Sequence, residues 1–487
     1  MKLLIQCGDH LENQERIMLL ARALKSLGYI PIILLYSPKK GRFFENEGII
    51  TVALSTYFPE GTPDNTVDMN SALEEGISYS DVIQYEKMRR PMIGWPGQAR
   101  KTIGDIYKNF QALAAIIDCH RPDRIVIWNG FTGYVANILR SISSRRGIPS
   151  AFLERGLIKG SLFIDRLGVN GASSLGAIIP EELDNNKLNK SEINEVENIF
   201  SIQASPKEDR ESKEDKIFFP LQVQLDTNII MHCKYSSMRE AFFDIYRKTD
   251  RGPSQFLLRP HPEEVPETLL NIPRYKNVKI SSAETLDYWI DWSDVVVTIN
   301  STVGLEALIK GKRVIALGES IYSSAGITDT LDRRIGLSSQ ERHARLIKYL
   351  RLLITSNLLL PNGQHNQEVA IKQLGLNPQG NTQPEVLLKN KDACLTTPEH
   401  QTTDIYVDFP LDETLDLTYR KNKAKIDHDW LIKIASRHVT SKTYRILPIS
   451  KKENNSNFCI RVVNEDKEQK AKPGFDKTVD IYGNTVS

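Results

Sequence analysis

The feature of this chain that most constrains its fold is an alternation of strand-like and helix-like segments, which runs through the sequence twice. A short apolar run at Lys2–Gln6 is followed by apolar residues at helical spacing over Asn13–Leu27, and Ser150–Leu153 is a later strand of this first series. The alternation begins again after the densely charged residues 202–216, and its clearest buried strand is Asp294–Ile299. Because strands that alternate with helices form parallel, doubly wound sheets, the sequence predicts an α/β protein with two Rossmann-like domains.

The length of the chain also favours more than one domain, since 487 residues exceed what one ordinary core accommodates. Dense charge with few apolar residues is typical of a surface linker, and the strand–helix pattern weakens after about residue 375. The predicted ranges are an N-terminal domain over 1–201, a linker over 202–216, a C-terminal domain over 217–375, an extension of uncertain fold over 376–449 and a disordered tail over 450–487.

Composition excludes several classes of protein. The formal net charge is only +2, whereas a nucleic-acid-binding domain carries a strongly basic surface, so no nucleic-acid partner is predicted. The five cysteines form no CxxC pair, which favours a reducing compartment and no metal site. The apolar run at the N-terminus is too short for a signal peptide, and no run reaches the roughly 18 apolar residues of a membrane span. The predicted location is the cytoplasm, and peripheral contact with the inner membrane is left open.

The strongest local pattern is the polar run that follows Asp294–Ile299, in the order Asn300-Ser301-Thr302, before a helix that contains Glu306. In a parallel sheet, ligands bind beyond the carboxyl ends of strands, and a helix that begins there offers free N–H groups to an anion. We therefore predict that Ser301 or Thr302 caps the helix and touches a phosphate of a nucleotide, and that Glu306 accepts the hydroxyls of its ribose. Asn300 is counted among the same donor-binding residues. The alternative is an ordinary helix cap followed by a surface glutamate.

A second pattern is the loop Arg259-Pro260-His261-Pro262, which directly follows the predicted strand Gln255–Leu258. Two prolines make this loop rigid and extended, so the side chains of Arg259 and His261 are held in place. Both side chains suit a nucleotide phosphate or a sugar carboxylate. The alternative is a rigid turn whose histidine is satisfied locally. The two patterns together, about 40 residues apart in a strand–helix context, predict a nucleotide site in the second domain.

Two carboxylates are predicted to face the cleft between the domains. Glu154 stands at the end of the strand Ser150–Leu153, and Asp226 follows the strand that opens the second domain. A pair of carboxylates suits acid–base or nucleophilic chemistry at a glycosidic centre. For either residue alone, a capping or salt-bridging role is the favoured alternative.

Two further patterns are weaker. Asp9 and His10 follow Gly8 at the end of the first strand, a place that often receives an acceptor or a phosphate, and they are counted as acceptor-side candidates. Because no G-x-G-x-x-G is present, a turn with an aspartate N-cap is favoured there.

The predicted helix Gln340–Ile354 carries a set of basic residues, namely Arg342, Arg345, Lys348 and Arg351. Docking on anionic lipid is one interpretation of this set. An ordinary amphipathic helix with a solvated basic face is the favoured one.

Taken together, these segments resemble the capsule polysaccharide biosynthesis family of bacteria, which includes the β-Kdo transferases of capsule and lipopolysaccharide assembly. The matching pieces are Leu153-Glu154-Arg155-Gly156, Asp165–Asn170, Pro220-Leu221-Gln222 with Asp226, Arg259-Pro260-His261-Pro262, and Ser301–Leu308 with Gly311. They span roughly residues 125–320. The chain departs from the family pattern at Val303, where many relatives carry a small or polar residue, and the region after residue 375 has no counterpart.

The resemblance implies a GT-B fold and a retaining glycosyltransferase. The implied donor is a CMP-activated 3-deoxy-octulosonic acid (Kdo), the implied acceptor is a glycan or glycolipid, and no further cofactor is implied. In this scheme Asp226 attacks the anomeric carbon and Glu154 assists the acceptor hydroxyl as a base. The residues that would hold the CMP are His261, Ser301, Thr302 and Glu306.

Two other functions stay open. The first is a GT-B-like epimerase or hydrolase, which would form product from a nucleotide sugar without any acceptor. The second is a non-catalytic partner in capsule assembly or export, which would bind no nucleotide. The presence of Glu154, Asp226 and His261 argues against the second.

Overall fold

The computed structural model describes residues 1–8, 10–61, 63, 67–68, 71–73, 76–89, 96–202, 216–223, 226–249, 254–262 and 275–377, together with strands between 395 and 480. The chain divides into two compact units, residues 1–384 and residues 385–487. Most of the predicted linker lies outside the described residues, and so does Asp9.

The first unit contains twelve strands within the described residues. In chain order they are β1 (Lys2–Gln6), β2 (Ile30–Leu35), β3 (Ile50–Ala53), β4 (Arg124–Trp128), β5 (Ser150–Arg155), β6 (Leu162–Asp165), β7 (Lys216–Pro220), β8 (Gln255–Arg259), β9 (Val278–Ile280), β10 (Val295–Thr298), β11 (Arg313–Ala316) and β12 (Leu358–Leu359).

Helices separate most of these strands. In the described part of the first unit they are α1 (Leu11–Ser26), α2 (Arg42–Glu45), α3 (Tyr79–Arg89), α4 (Pro96–His120), α5 (Tyr134–Arg145), α6 (Pro180–Asp184), α7 (Lys190–Phe200), α8 (Thr227–His232), α9 (Met238–Thr249), α10 (Leu286–Trp292), α11 (Thr302–Ile309), α12 (Ser339–Ser356) and α13 (Asn366–Leu374).

The strands form two sheets. The first has the order β12-β6-β5-β4-β1-β2-β3, and the second has the order β11-β10-β7-β8-β9. All pairs in the second sheet are parallel, whereas β6 runs antiparallel to both β5 and β12 in the first. The predicted α/β class is confirmed: the chain has two mostly parallel sheets and a C-terminal extension.

The strands are apolar on both faces because helices cover both sides of each sheet. Along β1, Leu4 packs into one hydrophobic cluster, whereas Leu3 and Ile5 pack into the cluster on the opposite side. In the second sheet, Val296 and Val297 of β10 divide between two clusters in the same way. A parallel sheet buried on both faces therefore explains the near-continuous apolar runs in the sequence.

Strand β5 is longer than predicted. The sequence pattern ended this strand at Leu153, but the strand continues to Arg155 because Glu154 and Arg155 pair with Phe163 and Leu162 of the antiparallel β6. Glu154 therefore lies within a paired strand, where its backbone is held by β6.

The chain returns to the first sheet after the second one is complete. Strand β12 pairs with β6, and α13 packs against α1 and β6. The predicted domain ranges placed residues 358–375 in the C-terminal domain and did not anticipate this return. A two-residue strand leaves no periodic pattern in a sequence, so the sequence offered no signal for it.

Helix α12 begins with a capping box. Ser338 Oγ accepts a hydrogen bond from the Glu341 N–H at 3.2 Å, and the Glu341 carboxylate accepts from the Ser338 N–H at 2.9 Å.

Three basic residues of α12, Arg345, Lys348 and Arg351, bind α6 and α7 and do not form a solvated face. Arg345 donates two hydrogen bonds to the Asp184 carboxylate, at 2.9 and 2.6 Å, and Lys348 donates to the Asp184 carbonyl at 2.9 Å. Arg351 pairs with Glu195 of α7. The acidic partners lie more than 150 residues earlier in the chain, so the sequence pattern of α12 alone did not show them.

The second unit is described only by strands. They are β13 (Leu395–Thr396), β14 (Thr402–Val407), β15 (Asp416–Tyr419), β16 (Asn422–Lys425), β17 (Val439–Thr440), β18 (Thr443–Pro448), β19 (Cys459–Val463) and β20 (Lys477–Asp480). Four of them form a parallel sheet in the order β18-β14-β19-β20. Strands β19 and β20 fall in the range predicted as a disordered tail, and the rest of that range lies outside the described residues.

Two glycines in helices provide a matched test of the packing. A Cβ added to Gly304 in α11 would lie 2.2 Å from the Tyr322 hydroxyl, whereas a Cβ added to Gly104 in α4 would meet no atom within 4 Å. We expect Gly304→Ala to destabilise the protein by about 1–3 kcal/mol, and Gly104→Ala to leave it as stable or to stabilise it by about 0.5–1 kcal/mol. Thermal unfolding of both variants measures the difference, and equal midpoints would contradict the packing described for α11.

Candidate active site

Three neighbouring strands of the second sheet deliver the predicted donor-binding residues to one edge. Strands β10, β7 and β8 are adjacent and parallel, so their carboxyl ends meet on the same side. Asn300 and Ser301 follow β10, Asp226 follows β7, and Arg259 and His261 stand at the end of β8. The structure therefore brings together the segments that the sequence placed about 40 residues apart.

A buried hydrogen-bond network joins the ends of β7 and β10. Gln222 Nε2 donates to Asn300 Oδ1 at 2.9 Å, and the Asn300 backbone N–H donates to Gln222 Oε1 at 3.2 Å. Asn300 Nδ2 donates to the Asn228 carbonyl at 2.9 Å. Both polar atoms of the Asn300 side chain are thus engaged within the protein, and its contact with a donor stays a prediction. Gln222 had no role of its own in the sequence analysis, because a glutamine after a strand carries no distinctive pattern.

Asp226 is the N-cap of α8. Its Oδ1 accepts a hydrogen bond from the Asn228 N–H at 2.9 Å, so the capping alternative describes one of its two oxygens. Oδ2 has no hydrogen-bond partner among the residues that the structure describes. The side chain is half-buried. A carboxylate with one oxygen anchored and the other unused is suited to contact a ligand.

Two buried polar atoms at this edge have no hydrogen-bond partner in the described part of the chain. They are Arg259 Nη1 and Asn228 Oδ1. Buried polar atoms in native structures are nearly always paired, so an unpaired one indicates a place where a ligand or water completes the bond. His261 is half-buried beside Arg259 in the same rigid loop.

Helix α11 begins at the end of β10 with the predicted cap. Ser301 Oγ accepts from the Val303 N–H at 3.3 Å, and the exposed Thr302 is the first helical residue. The Tyr322 hydroxyl donates to the Ser301 carbonyl at 2.5 Å and would collide with any side chain at Gly304. The capping alternative is correct for Ser301, and a phosphate contact by Ser301 or Thr302 stays a prediction.

Glu306 lies in the second turn of α11 and is half-buried. Burial raises the pKa of its carboxyl, the charge of Asp287 raises it further, and Lys310 lowers it. The charged neighbours of Glu306 thus belong to the part of the unit built around the second sheet. Its role towards a ribose stays a prediction.

Glu154 is the candidate contributed by the first sheet. Its Oε1 accepts from the Arg155 N–H at 2.9 Å, and its Oε2 accepts from Asn129 Nδ2 at 3.0 Å. Burial raises the pKa of the Glu154 carboxyl, these two hydrogen bonds lower it, and the negative charge of Asp226 raises it. The first unit has two halves, one built around each sheet, and each contributes one of the predicted catalytic carboxylates. They lie close enough for the charge of Asp226 to raise the pKa of Glu154.

The acceptor-side candidates are only partly described. His10 is exposed and occupies the N-cap position of α1, where its side chain forms no capping hydrogen bond. Asp9, which was favoured as the cap, lies outside the described residues. Strand β1 is nevertheless separated from β5 only by β4, so the segment after β1 and Glu154 lie on the same edge of the first sheet.

The loop that follows Asp165 joins the two halves. Asp165 is fully buried and accepts from the Leu167 N–H at 2.8 Å, the Ser174 N–H at 2.9 Å and Asn357 Nδ2 at 2.8 Å. The loop so held places Gly171 against His232 and Glu319, where an added Cβ would come within 2.8 Å of the histidine ring. This loop therefore packs against the end of α8.

The described residues contain neither a membrane-spanning helix nor a cluster of metal-binding side chains. No helix there is long and apolar enough to cross a membrane. No group of three or more His, Cys, Asp and Glu side chains in that part of the chain is placed to hold a metal ion.

Comparison with known families bears directly on this region. Residues 185–359, which include the linker, all of the second sheet and α12, match the family model described as "Capsule polysaccharide biosynthesis protein". This match covers about a third of the chain, and over these residues the chain is similar to the capsule polysaccharide biosynthesis family. The resemblance expected from the sequence is therefore confirmed for this segment.

Two curated relatives match over shorter stretches. Protein FixF of Sinorhizobium fredii is 29% identical over 202 residues, which cover 41% of this chain and 49% of FixF. The lipopolysaccharide-processing protein LpsZ of Rhizobium meliloti is 33% identical over 119 residues, which cover 22% of this chain and 26% of LpsZ. The chain thus spans half or less of the length of these relatives.

Among solved structures, the chain is similar to a KpsC β-Kdo 2,7 transferase of Thermosulfurimonas dismutans. The sequence identity is 21%, the match covers 48% of this chain and 79% of that one, and the TM-score is 0.33.

The environment of Glu154 predicts a pH-dependent stability. Because its pKa in the folded state lies above the unfolded value of about 4.3, the ionised carboxyl destabilises the fold, and stability is lost as pH rises through the folded pKa. We expect Glu154→Gln to raise the thermal midpoint relative to the wild-type protein more at pH 8 than at pH 5. Glu15→Gln, on an exposed position of α1, is the control and should show the same small difference at both pH values. A Glu154→Gln difference that does not change with pH would contradict the environment described here.

Proposed function

We propose that this protein is a glycosyltransferase of bacterial capsule or surface polysaccharide assembly, which transfers Kdo from CMP-Kdo to a glycan or glycolipid acceptor with retention of configuration. The observation that carries the proposal is the pair Asp226 and Glu154. Each half contributes one carboxylate at the carboxyl ends of its strands, and the charge of Asp226 raises the pKa of Glu154. The family of residues 185–359 supports a role in polysaccharide assembly. The similarity to LpsZ, a lipopolysaccharide-processing protein, supports a link to lipopolysaccharide.

Asp226 is proposed as the nucleophile. Its unused Oδ2 attacks the anomeric carbon while the bond from that carbon to the phosphate oxygen of CMP breaks, so CMP leaves and a glycosyl ester of Asp226 forms. The anchored Oδ1 keeps the carboxylate oriented during this step. Asp226 attacks the face opposite the departing CMP, and the acceptor then attacks the face opposite Asp226, so two inversions retain the configuration overall.

Glu154 is proposed as the base of the second step. It removes the proton from the acceptor hydroxyl while that oxygen attacks the anomeric carbon, and the Asp226 carboxylate is released. Burial and the Asp226 charge raise the pKa of Glu154 towards the pH at which proton transfer is efficient. Once Asp226 is esterified, its charge is lost, so the ester intermediate makes Glu154 a weaker base than it is in the free protein.

The donor nucleotide is proposed to lie at the ends of β8 and β10. Arg259 has a buried Nη1 without a described partner, which suits a phosphate oxygen of CMP. His261 lies in the same rigid loop, and the N-terminus of α11 presents N–H groups beside Ser301 and Thr302. In this proposal Glu306 accepts hydrogen bonds from the ribose hydroxyls. Asn300 acts indirectly, through its hydrogen bond to the Asn228 carbonyl of α8.

An epimerase or hydrolase that acts on a nucleotide sugar would use the same donor site. It differs in needing no acceptor, so release of CMP at full rate in the absence of any glycan would favour it. A non-catalytic assembly partner would bind neither nucleotide nor donor.

Replacement of the proposed nucleophile is the first test. Asp226→Asn keeps a side chain that caps helices well but removes the nucleophilic oxygen, so we expect transfer to fall by about three orders of magnitude or more. Binding of CMP, measured by calorimetry, should be retained. Glu284→Gln, on an exposed position of the same half, is the control and should transfer normally. Full activity of Asp226→Asn would eliminate the nucleophile assignment.

Nucleotide binding is the second test. CMP should raise the thermal midpoint of the wild-type protein more than UDP does at equal concentration, because a ligand that binds the folded state stabilises it. Arg259→Ala and His261→Ala should each weaken CMP binding by about tenfold or more. Arg239→Ala, which removes an exposed arginine of α9, should leave it unchanged. Unaltered CMP affinity in both site variants would refute the proposed donor site.

A further inference from the structure

Asn129 occupies an unusual position beside Glu154. It directly follows β4, and its backbone lies in the left-handed region with φ 58°, as does that of Gly130 with φ 87°. An asparagine tolerates this conformation better than most residues, and Gly130 is needed because an added Cβ would come within 2.5 Å of the Phe152 ring. The turn is tied to β5, since the Asn129 N–H donates to the Leu153 carbonyl at 2.8 Å.

The hydrogen bonds of the turn determine which way the Asn129 amide points. Its Oδ1 accepts from the Phe131 N–H at 3.3 Å and from the Thr132 hydroxyl at 3.2 Å. A backbone N–H can only donate, so the oxygen of the amide must face Phe131 and the NH₂ group must face Glu154. The amide orientation therefore follows from the geometry.

The hydrogen-bond donors beside Glu154 favour its ionised form over its protonated form. The Asn129 NH₂ group donates to Glu154 Oε2 at 3.0 Å, and the Arg155 N–H donates to Oε1 at 2.9 Å. Both oxygens of the carboxylate thus accept a hydrogen bond. A protonated Glu154 could not donate its proton to either group, because neither has an acceptor atom on that side. These two hydrogen bonds lower the pKa of Glu154, whereas burial and the Asp226 charge raise it.

We propose that Asn129 is a positioning residue, which holds Glu154 in its ionised form and in one orientation so that it can take a proton from the acceptor hydroxyl. This inference rests on the proposed function as far as the acceptor is concerned. The effect of Asn129 on the ionisation of Glu154 does not depend on which reaction the protein catalyses.

Two substitutions separate the donor from the turn. Asn129→Asp retains an oxygen for the Phe131 N–H and tolerates a left-handed backbone, but it replaces the donor by a carboxylate. Asn129→Gly retains the backbone conformation and removes the side chain. Thr132→Ala is the matched control, since it removes a hydrogen bond to Asn129 Oδ1 and leaves the bond to Glu154 in place.

The first readout needs no substrate. In the full chain labelled with ¹³C at the glutamate side-chain carboxyls, the signal that Glu154→Gln removes identifies Glu154, and its titration gives the midpoint. We expect Asn129→Gly to raise that midpoint by about one pH unit, because a hydrogen bond to a charged group is lost, and Asn129→Asp to raise it more, because a second carboxylate is added. Thr132→Ala should leave it unchanged. An unchanged midpoint in both Asn129 variants would overturn the proposal, whatever the protein catalyses.

The second readout is the pH dependence of transfer from CMP-Kdo. The acidic limb of the profile should move to higher pH in both Asn129 variants and should stay in place in Thr132→Ala. A uniform loss of activity with an unmoved limb would show that Asn129 serves only the fold, and would overturn the proposal. A raised Glu154 midpoint in a protein that transfers no sugar would support the role of Asn129 and would count against the proposed function instead.

Discussion

The candidate site depends on the buried hydrogen bonds by which Gln222 and Asn300 join the ends of β7 and β10. Asn300 also donates a hydrogen bond to the Asn228 carbonyl of α8, and Asp226 caps that same helix. Buried amide groups are costly unless every donor and acceptor is paired, so such a network specifies one arrangement of the loops. The proposed nucleophile, Asp226, is therefore positioned by residues that need not contact a ligand.

The two carboxylates differ because their environments differ. Asp226 is a helix cap with one oxygen unused, whereas Glu154 is desolvated within a paired strand and accepts hydrogen bonds at both oxygens. A capping carboxylate with one free oxygen suits attack on the sugar, whereas a carboxyl whose pKa is raised by burial suits proton transfer. Each half of the first unit supplies one of them, so the proposed site draws on both sheets. The loop after Asp165, packed against His232 and Glu319, connects the two halves next to α8.

Strong periodic patterns were enough to predict the two sheets and the strand ends that carry Asn300, Arg259 and Asp226. Those patterns arise from burial on both faces of a parallel sheet, which is a local property of each strand. The antiparallel β6, the extension of β5 to Arg155 and the return of β12 were not predicted, because they depend on pairing between segments that are distant in sequence. Asn129 and Gln222 were missed for a similar reason: each matters through hydrogen bonds that become visible only when neighbouring strand ends are brought together.

The central claim is that Asp226 attacks the donor sugar. Its most direct test is to mix the wild-type protein with CMP-Kdo in the absence of acceptor, quench with acid and map the peptides by mass spectrometry. The account predicts that the peptide containing Asp226 gains the mass of one Kdo residue and that acceptor added before the quench removes it. Turnover of CMP-Kdo with that peptide unmodified at every quench time, or with the sugar attached to another residue, would contradict the account.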